Sequence, residues 1–175
     1  MNLWHDIDPG TADEMVTVIE IPRGSQNKYE IDKETGLIKL DRVLHTAQVY
    51  PCEYGFIPQT LWEDGDALDT LVLSTEPFVP GVLVDIRPIG LMDMVDNGEP
   101  DAKVIGVPVG DPRWKNVNDI HDINPHTIKE LEHFFCTYKQ LQNKVCEVVA
   151  FKGAADAKAA FEKGKQLYAE KFGKK

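Results

Sequence analysis

The sequence has little cysteine and no long hydrophobic run. No stretch approaches the ~18 consecutive apolar residues of a membrane-spanning helix. The N-terminus, MNLWHDIDPG, carries acidic residues where a secretory signal needs basic residues followed by an apolar run. Cys52, Cys136 and Cys146 are odd in number and lack the paired spacing of a zinc or redox motif. We therefore expect reduced thiols, a cytoplasmic location and no contact with a membrane.

Positive charge is also scarce. The chain has 19 Lys and Arg residues against 29 Asp and Glu residues, so its formal net charge is −10. That sign repels nucleic-acid phosphate and anionic membranes at long range, and we expect no nucleic-acid partner. An acidic protein still binds an anion where local basic residues and bound cations reverse the field.

Internal repeats, low-complexity tracts and long linkers are missing too. The 175 residues fit one domain over 1–175, which is long enough to bury a core without disulfides. Short apolar or alternating runs broken by turn residues predict strands. These runs are MVTVIEI, KYEI, LIKLDRVL, DTLVL, VLVDIRPIGLM, KVIGVPV and CEVVAF.

Two segments have helical periodicity. Asn124 and Pro125 form a cap and first position for a helix that runs to about Gln142. Its apolar stripe should face a barrel and comprises Ile128, Leu131, Phe134, Phe135, Tyr138 and Leu141. A second helix, from about Asp156 to Phe172, should pack by one side. Many short strands followed by helices, without βαβ alternation, predict an α+β fold with a β-barrel core.

The segment EDGDALD at 63–69 places three carboxylates directly before a strand-like run. Asp64 and Asp66 share one face of an extended chain, and Asp69 joins them only if Gly65 or the following turn bends the backbone. Converging carboxylates repel one another, and Mg²⁺, Mn²⁺ or Ca²⁺ would relieve the repulsion. Taken alone, the segment also reads as a solvated acidic turn. An EF-hand loop fits poorly, because Thr75 stands where the closing Glu belongs.

A second acidic group surrounds the turn signal Asn97-Gly98, between two apolar runs. Its members are Asp93, Asp96, Glu99 and Asp101, and Lys103 follows them. Taken alone, this is a polar hairpin tip. Two acidic groups at strand ends can nevertheless meet at one mouth of a barrel and hold more than one metal ion.

Basic and phenolic side chains are spread over three further segments. The first contains Glu20 and Glu30 among the basic and phenolic residues Arg23, Lys28, Arg42, Tyr50 and Tyr54. The second contains Lys103, and the third contains Tyr138 and Lys139. Each alone would be an ordinary surface residue. Phosphate is bound by such groups, because Arg offers a planar fork, Lys a point charge and Tyr a neutral donor. The five histidines form no metal motif, and we treat them as structural, with a subunit contact at His133 as the alternative.

Together these residues resemble family I soluble inorganic pyrophosphatases of the compact bacterial type, over nearly the whole chain. Five segments carry the resemblance: IEIPRGSQNKYEID at 19–32, LDRVLHTAQVYPCEYGFIPQT at 40–60, EDGDALDTLVL at 63–73, DNGEPDAKVIGVP at 96–108 and HFFCTYKQL at 133–141. The resemblance implies a five-stranded OB-like β-barrel with flanking α-helices. It also implies hydrolysis of pyrophosphate to two phosphates with several Mg²⁺ ions, and a homohexamer.

The resemblance also implies metal ligands. Asp64, Asp69 and Asp101 would hold the first metal, and Asp69 would bridge to a second. Asp96, with Asp101, would hold a further metal that arrives with the substrate. The remaining two, Glu20 and Glu30, would act through water or by direct coordination.

The implied substrate-binding groups are Lys28, Arg42, Tyr54, Lys103, Tyr138 and Lys139, with Tyr50 beside them. The implied catalytic residues are Asp66, as general base, and Tyr54. The chain departs from the family pattern at Ala67, Asn97 and Pro100, and none of these positions is a matched ligand.

Two other functions fit parts of the pattern. An OB-like module could bind single-stranded nucleic acid or a nucleotide without chemistry, but here the basic residues alternate with as many acids. A Mg²⁺-dependent hydrolase of nucleoside triphosphates or polyphosphate would use the same metal chemistry. The sequence has no evident base-stacking pocket, which favours the smaller substrate.

Overall fold

The computed structural model describes residues 1–173, in which eight strands and two α-helices form the regular structure. The strands are β1 (Met15–Ile21), β2 (Asn27–Ile31), β3 (Ile38–Val43), β4 (Glu53–Phe56), β5 (Asp69–Val72), β6 (Leu83–Asp96), β7 (Glu99–Pro108) and β8 (Cys146–Gly153). The helices are α1 (Pro125–Thr137) and α2 (Ala154–Phe172), and short 3₁₀ helices span Pro112–Trp114, Ile120–Asp122 and Gln140–Gln142. Neither α-helix is both long and apolar enough to cross a membrane.

Five strands close into a ring in the order β1-β4-β5-β7-β6, because the first residues of β6 return to pair with β1. The pair β5–β7 is parallel, whereas the other pairs of the ring are antiparallel. The later part of β6 also pairs with β8, and β2 with β3 forms a separate hairpin. The α+β class and the five-stranded OB-like barrel are therefore confirmed.

The barrel strands separate two apolar clusters, and each cluster is covered by one helix. Successive residues of a strand point to opposite faces, so Val104 packs in the cluster with Phe161 of α2, and Ile105 packs in the cluster with Phe135 of α1. All four side chains are fully buried. The expectation that each helix packs one side against the strands is confirmed.

All seven predicted strands are present, although β6 and β7 each extend four residues further toward their shared turn than predicted. The strand β4 was not predicted. Its residues, EYGF, contain a glycine and did not read as a strand. Gly55 pairs with Ile19 of β1, and a Cβ atom on Gly55 would lie 2.1 Å from the carbonyl oxygen of Val18. The close approach of β1 and β4 therefore requires glycine at this strand position.

The predicted end of the first helix was wrong. Asn124 caps α1 as expected, since its side-chain oxygen accepts a hydrogen bond from the His126 amide at 2.9 Å. The helix ends at Thr137 rather than about Gln142, and a 3₁₀ helix follows. Leu141 is therefore not part of the buried stripe, and it is 68% exposed.

Two smaller expectations concern α2 and the thiols. The helix begins at Ala154, two residues earlier than predicted, because Asp119 accepts a hydrogen bond from the Ala154 amide at 2.9 Å.

The three cysteines are free thiols, and Cys52 and Cys146 are buried while Cys136 is partly buried.

Candidate active site

One cleft of about 300 Å³ is lined by all thirteen residues that the sequence analysis assigned to a site. They come from β1, the β2–β3 hairpin, β4, the loop before β5, the first residue of β5, the β6–β7 hairpin and the two residues that follow α1. Tyr50 lies behind the cleft, buried, with its ring edge against Tyr54 at a centroid distance of 5.7 Å. The lining residues are Glu20, Lys28, Glu30, Arg42, Tyr54, Asp64, Asp66, Asp69, Asp96, Asp101, Lys103, Tyr138 and Lys139.

The loop before β5 bends where the sequence analysis required a bend. Gly65 has a positive φ of 87°, which glycine adopts without strain. The Asp66 amide then donates to Asp64 Oδ1 at 3.0 Å, and Asp69 follows as the first residue of β5. All three carboxylates consequently reach the same cleft.

The second acidic group lies at the tip of the β6–β7 hairpin. Asn97 and Gly98 both have positive φ values, 51° and 90°, as the tight hairpin turn predicted from this dipeptide needs. The turn brings Asp96 and Asp101 into the cleft. Asp93 does not line it and forms an ion pair with Lys152 instead.

Lys103, Asp69, Asp101 and Tyr54 form the deep centre of the cleft. Lys103 is only 2% exposed, and it faces Asp69 across the parallel pair β5–β7. Its Nζ atom lies 2.7 Å from Asp69 Oδ2, 2.9 Å from Asp101 Oδ2 and 2.9 Å from Tyr54 Oη. The Tyr54 hydroxyl also donates to Asp69 Oδ2. One buried ammonium group thus connects two carboxylates that belong to different strands.

The protonation of the deep centre follows from its charges. Burial alone would lower the pKa of Lys103, but the charges of Asp101 and Asp69 outweigh burial and raise it. Burial and the charge of Asp69 raise the pKa of Tyr54 well above its usual value. Lys103 therefore stays cationic and Tyr54 stays a neutral hydrogen-bond donor at neutral pH.

Two further carboxyl groups of the cleft have no contacting cation among residues 1–173. Burial and the charge of Asp69 raise the pKa of Glu20 to about 8, although Glu20 accepts a hydrogen bond from the Ile31 amide at 2.7 Å. Burial, together with the charges of Asp69 and Asp101, raises the pKa of Asp64 to about 6. Both groups hold their protons more tightly than ordinary carboxyls, so an added cation near them would be stabilised.

The β2–β3 hairpin supplies a basic wall. Lys28 and Arg42 are partners across the hairpin, and both contact Asp41, at 3.4 Å and 2.5 Å. Lys28 also forms an ion pair with Glu30, and burial lowers the pKa of Lys28. The Nε atom of Arg42 is buried and has no hydrogen-bond partner within residues 1–173. The hairpin therefore contributes two cationic side chains, Lys28 and Arg42, to the lining of the cleft.

The end of α1 closes the other side of the second acidic group. Tyr138 is buried and stacks on Phe134 at a centroid distance of 5.0 Å. Lys139, the next residue, forms an ion pair with Asp96. Burial would raise the pKa of Asp96, but the hydrogen bond and charge of Lys139 lower it. The early end of the helix allows this lysine to turn toward the acid.

Five lining residues were missed by the sequence analysis: Trp4, Ile31, Lys33, Phe56 and Ala67. Lys33 is the functionally interesting one, because its Nζ atom forms an ion pair with Asp66. It lies in the turn sequence DKETG, where a lysine is typical of any surface. No local pattern could have distinguished it.

The carboxylates converge without forming a ready-made metal centre. In the described part of the chain, no three acidic, His or Cys side chains meet closely enough to hold an ion. Lys103 contacts both Asp69 and Asp101, and Lys139 and Lys33 form ion pairs with Asp96 and Asp66. The donor set still fits Mg²⁺, because it consists of carboxylate oxygens and includes two acids without a contacting cation.

Comparison with known proteins gives a consistent result. The family model described as inorganic pyrophosphatase matches residues 17–169. The inorganic pyrophosphatase of Picrophilus torridus is 45% identical over 170 residues, which cover 96% of each chain. The inorganic pyrophosphatase of Geobacillus stearothermophilus is 56% identical over 135 residues, which cover 77% of this chain and 82% of the relative. The crystal structure of inorganic pyrophosphatase from Thermus thermophilus superposes with a TM-score of 0.92 at 46% identity, covering 96% of this chain and 99% of that one.

Proposed function

The chain belongs to the inorganic pyrophosphatase family, and we propose that it hydrolyses inorganic pyrophosphate to two phosphates with the help of several Mg²⁺ ions. Members of this family are diphosphatase enzymes. The observation that carries the proposal is the composition of the cleft, in which seven carboxyl groups and five basic side chains surround about 300 Å³. Such a site suits a small polyanion that binds together with cations.

The metal ligands that we propose are Glu20, Glu30, Asp64, Asp69, Asp96 and Asp101. Acids outnumber bases in the cleft, so pyrophosphate would be repelled unless further positive charge were present. When bound, Mg²⁺ would neutralise the substrate oxygens and favour ionisation of a water molecule. The raised pKa values of Glu20 and Asp64 indicate where added positive charge would be most stabilising.

Basic and phenolic groups would hold the phosphates. Lys28 and Arg42 project from neighbouring strands and line the cleft, where their ammonium and guanidinium groups would bind phosphate oxygens. Tyr138 and Lys139 would bind from the end of α1. In the deep centre, Lys103 and the neutral hydroxyl of Tyr54 would donate to the substrate only by exchanging one of their present partners for a phosphate oxygen.

The chemistry that we propose is an in-line displacement by water. The water oxygen bonds to one phosphorus, the bridging P–O bond breaks, and its electron pair leaves with the second phosphate. Asp66 accepts the proton of the attacking water. The fixed lysines and Arg42 would stabilise the negative charge that accumulates on the oxygens during transfer.

The decisive experiment measures phosphate release from pyrophosphate with Mg²⁺, with and without chelator. We expect rapid release that the chelator abolishes. Phosphate release that continues in chelator would contradict the role of the cations, and no release at all would contradict the substrate.

Substitutions test the roles of two acids. We expect Asp66→Ala and Asp69→Ala to keep the fold, seen by circular dichroism, but to lower turnover by about a hundredfold or more. Asp69 contacts both Lys103 and Tyr54, so Asp69→Ala also disturbs the deep centre, whereas Asp66→Ala removes only the proposed base. Turnover like that of the wild type in either variant would remove that residue from the mechanism.

A nucleic-acid or nucleotide ligand fits the cleft less well. Such ligands need exposed aromatic faces for base stacking. The cleft residues Trp4, Phe56 and Tyr138 are all buried. A gel-shift assay with single-stranded oligonucleotides, and phosphate release from ATP and polyphosphate, would measure these alternatives directly.

We also propose that the chain is a single domain over 1–175 that assembles as a homohexamer in the cytoplasm. The support is the resemblance to bacterial pyrophosphatases, together with free thiols that suit a reducing compartment. Light scattering after size-exclusion chromatography would give the oligomeric state.

A further inference from the structure

Lys33 lies at the mouth of the cleft between an aromatic ring and an acid. Its Nζ atom is 5.8 Å from the centroid of the Trp4 ring and forms an ion pair with the Asp66 carboxylate. Within residues 1–173, the Asp66 carboxylate has no other ion-pair partner and accepts no hydrogen bond. The position of this side chain therefore depends on Lys33.

Trp4 is a fixed surface for the lysine. It is only 4% exposed, and its indole Nε1–H donates to the carbonyl oxygen of Thr60 at 2.8 Å. A cation over an aromatic face is attracted by the ring electrons. Lys33 is consequently attracted both by the Trp4 ring and by the Asp66 carboxylate.

The backbone that carries Lys33 is also constrained. Lys33 belongs to the turn between β2 and β3, in which Asp32 accepts hydrogen bonds from the amide and the hydroxyl of Thr35, at 3.1 Å and 2.6 Å. Gly36 of the same turn packs so closely on the N-terminal segment that an added Cβ would lie 2.7 Å from the Cα of Asn2. The turn and the N-terminal segment thus hold Lys33 and Trp4 at the cleft.

We infer that Lys33 is a positioning residue for Asp66, with Trp4 as its support, and that it orients the carboxylate toward the attacking water. The inference rests on the proposed function, because it assigns Asp66 the role of base in that reaction. Lys33 acts through Asp66 rather than on the substrate, so its effect requires an intact Asp66 carboxylate. Small displacements of a catalytic group lower turnover without weakening substrate binding.

The chain offers a matched control pair, whose acid, Glu63, lies on the same loop as Asp66 and whose lysine, Lys163, belongs to α2. Lys163 forms an ion pair with Glu63 and lies 4.6 Å from the centroid of the Trp62 ring. Lys163 and Glu63 are 47% and 44% exposed, close to the 58% and 57% of Lys33 and Asp66. Neither Lys163 nor Glu63 lines the cleft. Lys163→Met therefore reports what loss of such a pair does without any link to the base.

The experiment compares kcat and KM for pyrophosphate in wild type, Lys33→Met, Lys33→Arg, Lys163→Met, Asp66→Asn and the double variant Lys33→Met/Asp66→Asn. We expect Lys33→Met to lower kcat about fivefold with little change in KM. A change of about fivefold is the largest effect expected from the loss of one exposed ion pair. Lys33→Arg should restore most of this loss, and Lys163→Met should match the wild type. In the Asp66→Asn background, Lys33→Met should change kcat less than about twofold, since coupled residues are not additive.

Three results would overturn the inference while wild-type turnover leaves the proposed function intact. They are a higher KM at unchanged kcat, equal effects of Lys33→Met and Lys163→Met, or the full loss persisting in the Asp66→Asn background. A wild-type protein that releases no phosphate would instead overturn the proposed function, and the inference with it.

Discussion

The deep centre and the mouth of the cleft use the same chemistry, a lysine beside carboxylates, in two different surroundings. At the deep centre, Lys103 is 2% exposed and touches two acids and a phenol. At the mouth, Lys33 and Asp66 are both more than half exposed and form a single pair. Removing one partner of a buried ion pair lowers the free energy of unfolding by several kcal/mol, whereas an exposed pair contributes little to it.

This difference in burial indicates a different role for each end of the cleft. The deep centre is a fixed arrangement whose members depend on one another, so it can hold charged groups in place before any ligand arrives. The mouth pair, Lys33 and Asp66, is more than half exposed and accessible to water. A base that must exchange protons with solvent belongs at such a position.

The largest expected effect is that of Lys103→Met. The variant leaves Asp69 and Asp101 near each other without the ammonium between them, which we expect to lower the free energy of unfolding by about 3–5 kcal/mol. Urea unfolding in chelator, at a fixed protein concentration, measures it. Added Mg²⁺ should recover part of the loss, because a divalent cation can replace the missing positive charge. A loss below about 1 kcal/mol would mean that the two ends of the cleft do not differ.

A second prediction concerns pH. The unfolded Glu20 carboxyl titrates near 4.5 and the folded one near 8, so ionisation of Glu20 opposes folding increasingly as the pH rises between these values. Glu20→Gln keeps an acceptor for the Ile31 amide but cannot ionise. In chelator, the variant and the wild type should be equally stable near pH 4, and the variant should gain about 4 kcal/mol by pH 8. Parallel stability curves would contradict the buried, unpaired state of this carboxyl.

The smallest expected effect is that of Lys33→Met on stability. An exposed ion pair contributes less than about 1 kcal/mol, and 1 M salt screens it. Urea unfolding at low and high salt should therefore show a small difference that disappears in high salt, while the effect of Lys103→Met persists. A salt-resistant loss of several kcal/mol at Lys33 would show that the mouth pair also helps to hold the fold.

The fold was predictable wherever residue periodicity reports burial. The strand β1 has the bounds of its predicted run, because alternating and β-branched residues report a half-buried strand directly. The end of α1 was not predictable from periodicity. Leu141 continues the helical spacing, but the chain leaves the helix after Thr137, and Lys139 forms its ion pair with Asp96, a residue distant in sequence.

The site was predictable where several residues of one chemistry recur in motifs, as for Asp64, Asp66 and Asp69. Lys33 could not be found in that way, since its partner Asp66 belongs to another loop and a turn lysine is common on surfaces. Trp4 was missed for a similar reason, because nothing in the N-terminal sequence indicates that its ring reaches the cleft. Contacts between segments without their own pattern appear only in three dimensions.

The parallel pair β5–β7 has a consequence for assembly of the barrel. Its register places Asp69 opposite Lys103. A slip by one residue would put Thr70 opposite the lysine and leave a buried ammonium group without one of its two acids. A molecule that closed its barrel wrongly would thus lose stability and activity together. The same two side chains that form the deep centre of the cleft thus also favour the correct register of the barrel.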